Sequence, residues 1–291
     1  MSSFPSQDGS YRQPRFRIPI RVVIALIFAA FAVISYYARM QPNPVTNKSQ
    51  SIPWTVDQEI ALGMQSAPGM AQEFGGESTD SKDRLLVETV GGRIVGSLPK
   101  EARNPDGTQR YPFKYHVLTD PQTVNAFALP GGQIFITEAL LKRLETEGQL
   151  AGVLGHETGH VLARHSAAQA SKSDLLSGLV DAAGVAGSNS YNSAQMTQAA
   201  ASMVANMLTL KYSRNDELDA DKLGLRFMSE AGYDPRSMIR VMEILEQASG
   251  GSGGQKPEYA STHPNPDHRI DHINDELKVL FPSGVPDGLK K

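Results

Sequence analysis

The sequence has no cysteine and only one tryptophan among its 291 residues. The absence of cysteine excludes disulfide bridges, a zinc ribbon and lipid attachment through sulfur. Neither sign of charge dominates, because 28 Lys and Arg stand against 31 Asp and Glu, for a formal net charge of −3. This balance lacks the basic surface typical of nucleic-acid binding, so no nucleic-acid partner is predicted.

Long apolar runs are equally rare, and the one that could span a bilayer lies near the N-terminus. The 17 residues from 22 to 38 carry no charge, which is at the short end of the length that crosses a bilayer. Positive residues precede this run: Arg12, Arg15, Arg17 and Arg21. Because such residues stay in the cytoplasm, we predict a cytoplasmic basic tail over residues 1–20, a signal anchor over 21–39 and a linker over 40–56.

Two other interpretations of the N-terminus stay open. A cleaved signal peptide needs small residues around its cleavage site, but Ala38 has Tyr36 two residues before it. A mitochondrial presequence is amphipathic and poor in acids, and Asp8 together with the long apolar run argues against it. The uncleaved anchor is therefore the favoured prediction.

The most informative motif is His156-Glu157-Thr158-Gly159-His160. Residues four apart lie on one face of an α-helix, so His156 and His160 can direct both imidazoles at one ion. Glu157 lies beside the first ligand, where it can hold a water and take its proton. This H-E-x-x-H pattern is typical of a zinc-dependent hydrolase. Its apolar neighbours predict that the helix is buried, where histidines need partners.

A catalytic zinc site usually takes three protein ligands, so a third must come from elsewhere in the chain. The segment from Ser213 to Asp221 begins like a helix, with Ser213 as N-cap. Glu217 and Asp221 share a face of that helix. Glu217 is the predicted third ligand, and Asp221 is predicted to accept the ring N–H of a ligating histidine.

His165 is a second histidine close to the motif. On a continuous helix it would lie about 140° around from His160, so it is not predicted to share the ion. We expect it either to orient a ligand or simply to pack, and packing is the more common role for such a residue.

These residues resemble the gluzincin metalloproteases of peptidase family M48, which includes HtpX-like, Oma-like and CAAX prenyl proteases. Two more segments match the family's pattern: residues 125–136, similar to its strand–turn–strand, and residues 261–264, similar to its Thr-His-Pro segment, with Arg269 following. The resemblance covers roughly residues 57–280 and preserves the order of the motifs. A single apolar run makes the chain more similar to bacterial periplasmic and mitochondrial quality-control members than to the multi-span CAAX type.

The resemblance implies an α+β, predominantly helical zinc-metalloprotease domain with a small β-sheet over residues 57–282, preceded by one transmembrane helix and followed by a tail over 283–291. It implies one Zn²⁺ per chain and polypeptide substrates, namely unfolded or misassembled membrane or envelope proteins. The expected location is the bacterial inner membrane with the catalytic domain in the periplasm, or the periplasm itself after signal cleavage. A homo-oligomer and envelope assembly partners stay open. A rival function is a latched zinc protein that acts mainly as a chaperone or assembly factor.

The segment from residue 124 to 136 predicts a β-hairpin, because two runs of β-forming residues flank Gly131 and Gly132. Extended substrates pair with an exposed sheet edge in zinc proteases of this kind. The predicted edge residues are Asn125, Ala126, Phe127 and Ala128. An ordinary core hairpin is an equally good interpretation of their side chains.

Two residues near the C-terminus have several open roles. His263 follows a Gly/Ser-rich stretch of linker composition. The resemblance implies that it acts as a regulatory ligand that displaces the water; it could instead stabilise the oxyanion or pack beside Pro264. Arg269 could bind the oxyanion or a carboxylate as a fork, or lie on a helix surface.

Overall fold

The computed structural model describes residues 18–187, 212–249 and 268–291, together with Tyr259 and His263. Within these residues, fourteen α-helices and β-strands follow in chain order, besides one 3-10 helix at Lys100–Ala102. They are α1 (Ile20–Ala38), β1 (Met40–Pro42), β2 (Ser49–Ser51), α2 (Val56–Glu73), α3 (Ser81–Gly96), β3 (Lys114–Leu118), β4 (Ala126–Leu129), β5 (Gln133–Thr137), α4 (Glu138–Leu141), α5 (Glu147–Ala163), α6 (His165–Gly187), α7 (Arg214–Glu230), α8 (Ser237–Ser249) and α9 (Arg269–Leu280). The prediction of a mainly helical α+β fold is confirmed.

The main sheet has three strands in the order β3-β5-β4. β5 pairs parallel with β3 and antiparallel with β4, with Phe127 opposite Phe135. Gly131 and Gly132 have positive φ angles of 80° and 98°, so they form the tight turn between β4 and β5. The predicted hairpin is confirmed, and β4 is an edge strand of this sheet.

The centre of the core is α5, whose residues from Gly148 to Ala163 are all buried. Thr146 begins this helix as an N-cap, because its side chain accepts from the Gln149 N–H. The sheet, α3, α7 and α8 surround α5. α7 begins with a reciprocal capping box between Ser213 and Asp216. The predicted start of this helix at Ser213 is confirmed.

The segment predicted as a linker contains two strands, β1 and β2, which pair antiparallel. Two of its amide side chains reach the end of α5: Asn43 donates to the Leu162 carbonyl at 2.9 Å, and Gln50 donates to the Ala163 carbonyl at 2.8 Å. The last carbonyls of a helix have no partner within it. The segment therefore forms a cap on α5, which its Pro-, Asn- and Ser-rich composition did not predict.

Helix lengths also differ from the sequence-based expectation. The sequence predicts a helix over residues 175–185 followed by a separator over 184–190; α6 instead begins at His165, ten residues earlier, and continues to Gly187, inside the predicted separator. Apolar periodicity also predicts a helix over residues 196–210. That segment and the Gly/Ser-rich stretch over 249–255 lie outside the described residues, apart from Ser249. The predicted C-terminal tail is held at Lys290, whose carbonyl accepts from Asp234 N–H at 2.8 Å.

Candidate active site

Two closely packed helices, α5 and α7, carry most of the predicted site. Gly155 and Gly159 of α5 face Gly224 and Ala220 of α7. A Cβ on Gly224 would come within 2.9 Å of the backbone nitrogen of His156, so glycine permits a close approach here. The contact brings the acidic face of α7 against the histidines of α5.

His156, His160, Glu217 and His263 converge on one point. One nitrogen or oxygen from each residue lies within 4.8 Å of the others. The Nε2 atoms of His156 and His160 are 3.0 Å apart, and the Glu217 carboxylate lies 3.4 Å from His160 Nε2 and 3.5 Å from His156 Nε2. The three residues predicted as metal ligands are thus brought together, and His263 joins them.

The donor set fits a metal ion such as zinc. Ligand atoms bound tetrahedrally at about 2.0–2.1 Å from zinc lie roughly 3.3 Å apart, close to the spacings found here. Imidazole nitrogens with a carboxylate are typical zinc donors. Within the described part of the chain, Glu217 Oε2, His263 Nε2 and both Glu157 oxygens are buried without a hydrogen-bond partner. A bound ion and its water would satisfy such groups.

Asp221 and Arg269 contact the cluster from outside: Asp221 contacts His156, and Arg269 contacts Asp221 and Glu217. Asp221 Oδ1 lies 2.9 Å from His156 Nδ1, so the other ring nitrogen faces the convergence point. Arg269 donates to both Asp221 oxygens at 2.7 Å and lies 3.3 Å from Glu217. Burial alone would raise the pKa of the Asp221 carboxyl, but Arg269 and His156 hold it below its ordinary value. Arg269 is 3% exposed, so the helix-surface interpretation is wrong.

The two buried glutamates differ in their electrostatics. Burial raises the pKa of Glu157, and the attraction of His263 and His156 offsets this only in part. Burial also opposes ionisation of Glu217, but His263, His156 and His160 lower its pKa well below the ordinary value. Paired carboxyls whose pKa values are pushed apart are typical of acid–base sites. Glu217 is suited to bind a cation and Glu157 to accept a proton.

His165 contacts the site through a break in the helix. Arg164 has a left-handed φ of 59°, which ends α5 and starts α6 in a new direction. The break brings His165 Nδ1 to 2.9 Å from His160 Nδ1, while its Nε2 lies 3.9 Å from Asp216. His165 thus lies behind His160, a predicted ligand, and outside the cluster of four. The 140° estimate assumed an unbroken helix, and no sequence signal marked the left-handed residue.

Two tyrosines that the sequence did not single out stack on the histidines. The Tyr212 ring lies 4.0 Å from that of His160, and the Tyr259 ring lies 4.4 Å from that of His263. Both tyrosines are buried. Tyr212 directly precedes the N-cap of α7, which was the one available signal; Tyr259 belongs to no motif.

The predicted substrate edge strand packs against the catalytic helix, and its side chains are buried. Asn125, Ala126, Phe127 and Ala128 are at most 8% exposed, and β4 contacts α5. Their side chains therefore belong to the core. Glu157 and His263 are also buried.

A buried H-E-x-x-H helix with a carboxylate ligand from a second helix defines a metallopeptidase. The family model for peptidase family M48 matches residues 93–277. The chain is 30% identical over 247 residues to the mitochondrial metalloendopeptidase OMA1 of Schizosaccharomyces pombe, covering 84% of this chain and 68% of that protein. It is 29% identical over 281 residues to the OMA1 of Saccharomyces cerevisiae, with 92% and 78% covered.

A bacterial relative is more distant. The β-barrel assembly-enhancing protease of Escherichia coli is 27% identical over 232 residues, which cover 78% of this chain and 46% of that protein. The chain belongs to peptidase family M48, and it is a metalloendopeptidase.

Proposed function

We propose that the chain is a zinc-dependent endopeptidase of unfolded or misassembled membrane proteins, anchored by α1. His156, His160 and Glu217 would hold one zinc ion. A zinc ion held there would supply Lewis acidity and lower the pKa of the attacking water to about 7. The observation that carries the proposal is the position of Glu157, whose unpaired carboxylate lies next to the ligand cluster.

The protein's own residues have separate roles in hydrolysis. Glu157 accepts the proton of the attacking water and returns it to the leaving amine. Asp221 holds His156 in the tautomer that leaves Nε2 free for the metal. Arg269 balances the charges of Asp221 and Glu217 in a buried site.

The edge of β4 is proposed as the substrate site. A peptide that pairs with this edge would need only backbone hydrogen bonds, which suits clients of varied sequence. Asn125 supports this, because its Oδ1 is buried without a hydrogen-bond partner.

The proposed location is the bacterial inner membrane, with the catalytic domain in the periplasm. α1 is long and apolar enough to span a bilayer and lies near the N-terminus. The arginines before it favour a cytoplasmic N-terminus. The name of the Escherichia coli relative refers to the assembly of β-barrels, which is consistent with a client in the bacterial envelope.

A second candidate function is a latched protein that binds clients and cuts them rarely. His263 favours it, because its Nδ1 lies 2.9 Å from Glu217 and its ring is held against Tyr259. A histidine in this place can occupy the position that the attacking water needs. We propose that His263 acts as such a latch, in place of a role in oxyanion stabilisation.

The test compares full-length, zinc-loaded protein in detergent micelles with three variants on an unfolded substrate such as β-casein. Glu157→Gln should lose cleavage by a factor of about 100 or more while it retains zinc, because general-base catalysis is lost. Glu73→Gln changes an exposed glutamate of α2 and should cleave like wild type. Equal cleavage by wild type and Glu157→Gln would contradict the proposed peptidase mechanism.

The third variant, His263→Ala, separates the two candidates. If His263 is a latch, its removal raises basal proteolysis above wild type. A loss of activity would instead favour a role in catalysis and count against the latch. If the wild type binds casein without cleavage, and binding survives Glu157→Gln, the chaperone function is favoured.

A further inference from the structure

The N-terminal helix α1 does not lie alone: α6 runs antiparallel beside it. Arg39, just after α1, forms an ion pair with Asp174 of α6 at 3.5 Å. Ser51 holds the two helices together near the same end, because it donates to the Tyr36 carbonyl of α1 and contacts the Ser171 hydroxyl of α6 at 2.6 Å. α6 therefore runs from the catalytic helix back along α1.

Small residues allow the two helices to approach closely. A Cβ on Gly178 would lie 2.9 Å from the Cβ of Ala32. Further along the pair, Ala25 of α1 and Ala182 of α6 are both buried. Gly178 and Ala182 are four residues apart, the small-xxx-small spacing that brings helix backbones together in membranes. The contact extends over most of α1.

The outer face of α6 is apolar and uncovered beside an equally uncovered α1. Leu176, Leu179 and Val180 are 64%, 37% and 61% exposed. On α1, Ile27 and Phe31 are 63% and 70% exposed. The two helices thus present one continuous apolar surface, larger than α1 alone would form.

The depth of α6 follows from that of α1. The 19 residues of α1 extend about 28 Å, close to the roughly 30 Å of a hydrocarbon core. A helix packed against Ala32 must lie at the same depth as that residue. We propose that α6 enters the bilayer beside α1 from about residue 175 to 185, so that lipid acyl chains cover Leu176, Leu179 and Val180. This inference rests on the anchoring by α1 proposed above.

The charged residues of α6 agree with this placement. Asp174 pairs with Arg39 at the end of α1, where the membrane surface would lie. Between residues 175 and 185 the sole charged residue is Asp181; it is exposed, but it lines the groove between α6 and α1. Ionisable side chains within membranes face helix partners in this way. Because α6 contains Asp181, Ser173 and Ser177, its composition alone does not mark it as a membrane-spanning helix.

The arrangement also limits where substrates are cut. From His165 to Asp174, α6 rises about 14 Å, and His165 contacts the ligand His160. The metal cluster would therefore lie within about one and a half nanometres of the bilayer surface. The substrate class that this favours is the juxtamembrane segment of a membrane protein, ahead of freely soluble chains.

The test measures the depth of labels in the full chain. Because the protein has no cysteine, single-cysteine variants need no further change. Val180→Cys, Ile27→Cys and Leu85→Cys are labelled with an environment-sensitive fluorophore and reconstituted in phosphatidylcholine–phosphatidylglycerol vesicles containing doxyl-labelled lipid. Leu85 lies on α3 and is 65% exposed. Quenching at position 180 should match that at position 27 within about twofold, since both lie in hydrocarbon, while position 85 stays unquenched.

The outcomes separate this inference from the anchoring itself. Quenching at 27 without quenching at 180 overturns the insertion of α6 and leaves the anchor intact. No quenching at either position overturns both. Added to Val180→Cys, Gly178→Leu should separate the helices and reduce quenching at 180, whereas Gly184→Leu should not, because no atom lies within 4 Å of a Cβ at Gly184. Equal quenching at position 180 with Gly178→Leu and with Gly184→Leu would overturn the inference that Gly178 packs against α1.

Discussion

At Arg269 a single guanidinium joins both carboxylates that α7 contributes to the site. It binds Asp221 as a fork and reaches Glu217 at 3.3 Å, and it is buried. A lysine would keep the charge but could not reproduce the planar fork. We therefore expect Arg269 to act on Glu217 directly and on His156 through Asp221, rather than on the substrate.

Arg269→Lys should weaken zinc binding by about 10-fold to 100-fold, as is typical when a partner of a ligand is lost. A titration against a chromophoric zinc chelator measures this without relying on activity. Arg226→Lys provides the control, since Arg226 and Glu230 form a partly exposed ion pair within α7. Unchanged affinity in Arg269→Lys would mean that the fork does not orient the ligands.

Some site residues could be predicted from sequence because their geometry is set within one helix. The i, i+4 spacing alone placed His156 with His160, and Glu217 with Asp221. Arg269 could not be assigned a partner, because its fork depends on how α9 packs against α7. The position of His165 likewise depended on one left-handed residue.

At the scale of elements, the contact of α5 with α7 decides the geometry of the site. Gly224 lies against the backbone of His156 and the side chain of Met238. A backbone atom cannot rotate away, so any added side chain must push the helices apart.

Gly224→Ala should therefore destabilise the protein by about 1–3 kcal/mol through overpacking. Gly92→Ala on α3 is the matched control, because no atom lies within 4 Å of a Cβ there; it should stabilise by about 0.5–1 kcal/mol through helix propensity. Thermal unfolding followed by circular dichroism compares the two. If Gly224→Ala left the stability unchanged, α5 and α7 could move apart without destabilising the protein.

The elements themselves were predictable where apolar periodicity or turn residues marked them, as in the β4–β5 hairpin. The strands β1 and β2 were not, because their stabilising contacts are amide side chains that bind the end of a distant helix. Composition typical of a linker carries no information about such contacts.

At the scale of the whole molecule, the buried cluster of charged ligands links folding to the metal. Removal of zinc with a chelator should lower the melting temperature by roughly 10 °C, if zinc is present at about a thousand times its dissociation constant. Trp54 is the one tryptophan of the chain, and its carbonyl accepts from Arg164 at 2.7 Å, so its fluorescence reports on the end of α5. Glu157→Gln should show the same shift, and His156→Ala should show almost none. A shift in His156→Ala equal to that of wild type would place the ion elsewhere.

Arg164 also has a mechanical consequence. It is a one-residue joint between α5, which holds two ligands, and α6, a rod of 23 residues whose far half lies along α1. His165, the first residue of the rod, presses on His160 just past the pivot. The first residue of α6 thus lies at the proposed metal site, and its later part lies along α1. If α1 is anchored as proposed, we expect a tilt of α1 to shift α6 and, through His165, the imidazole of His160.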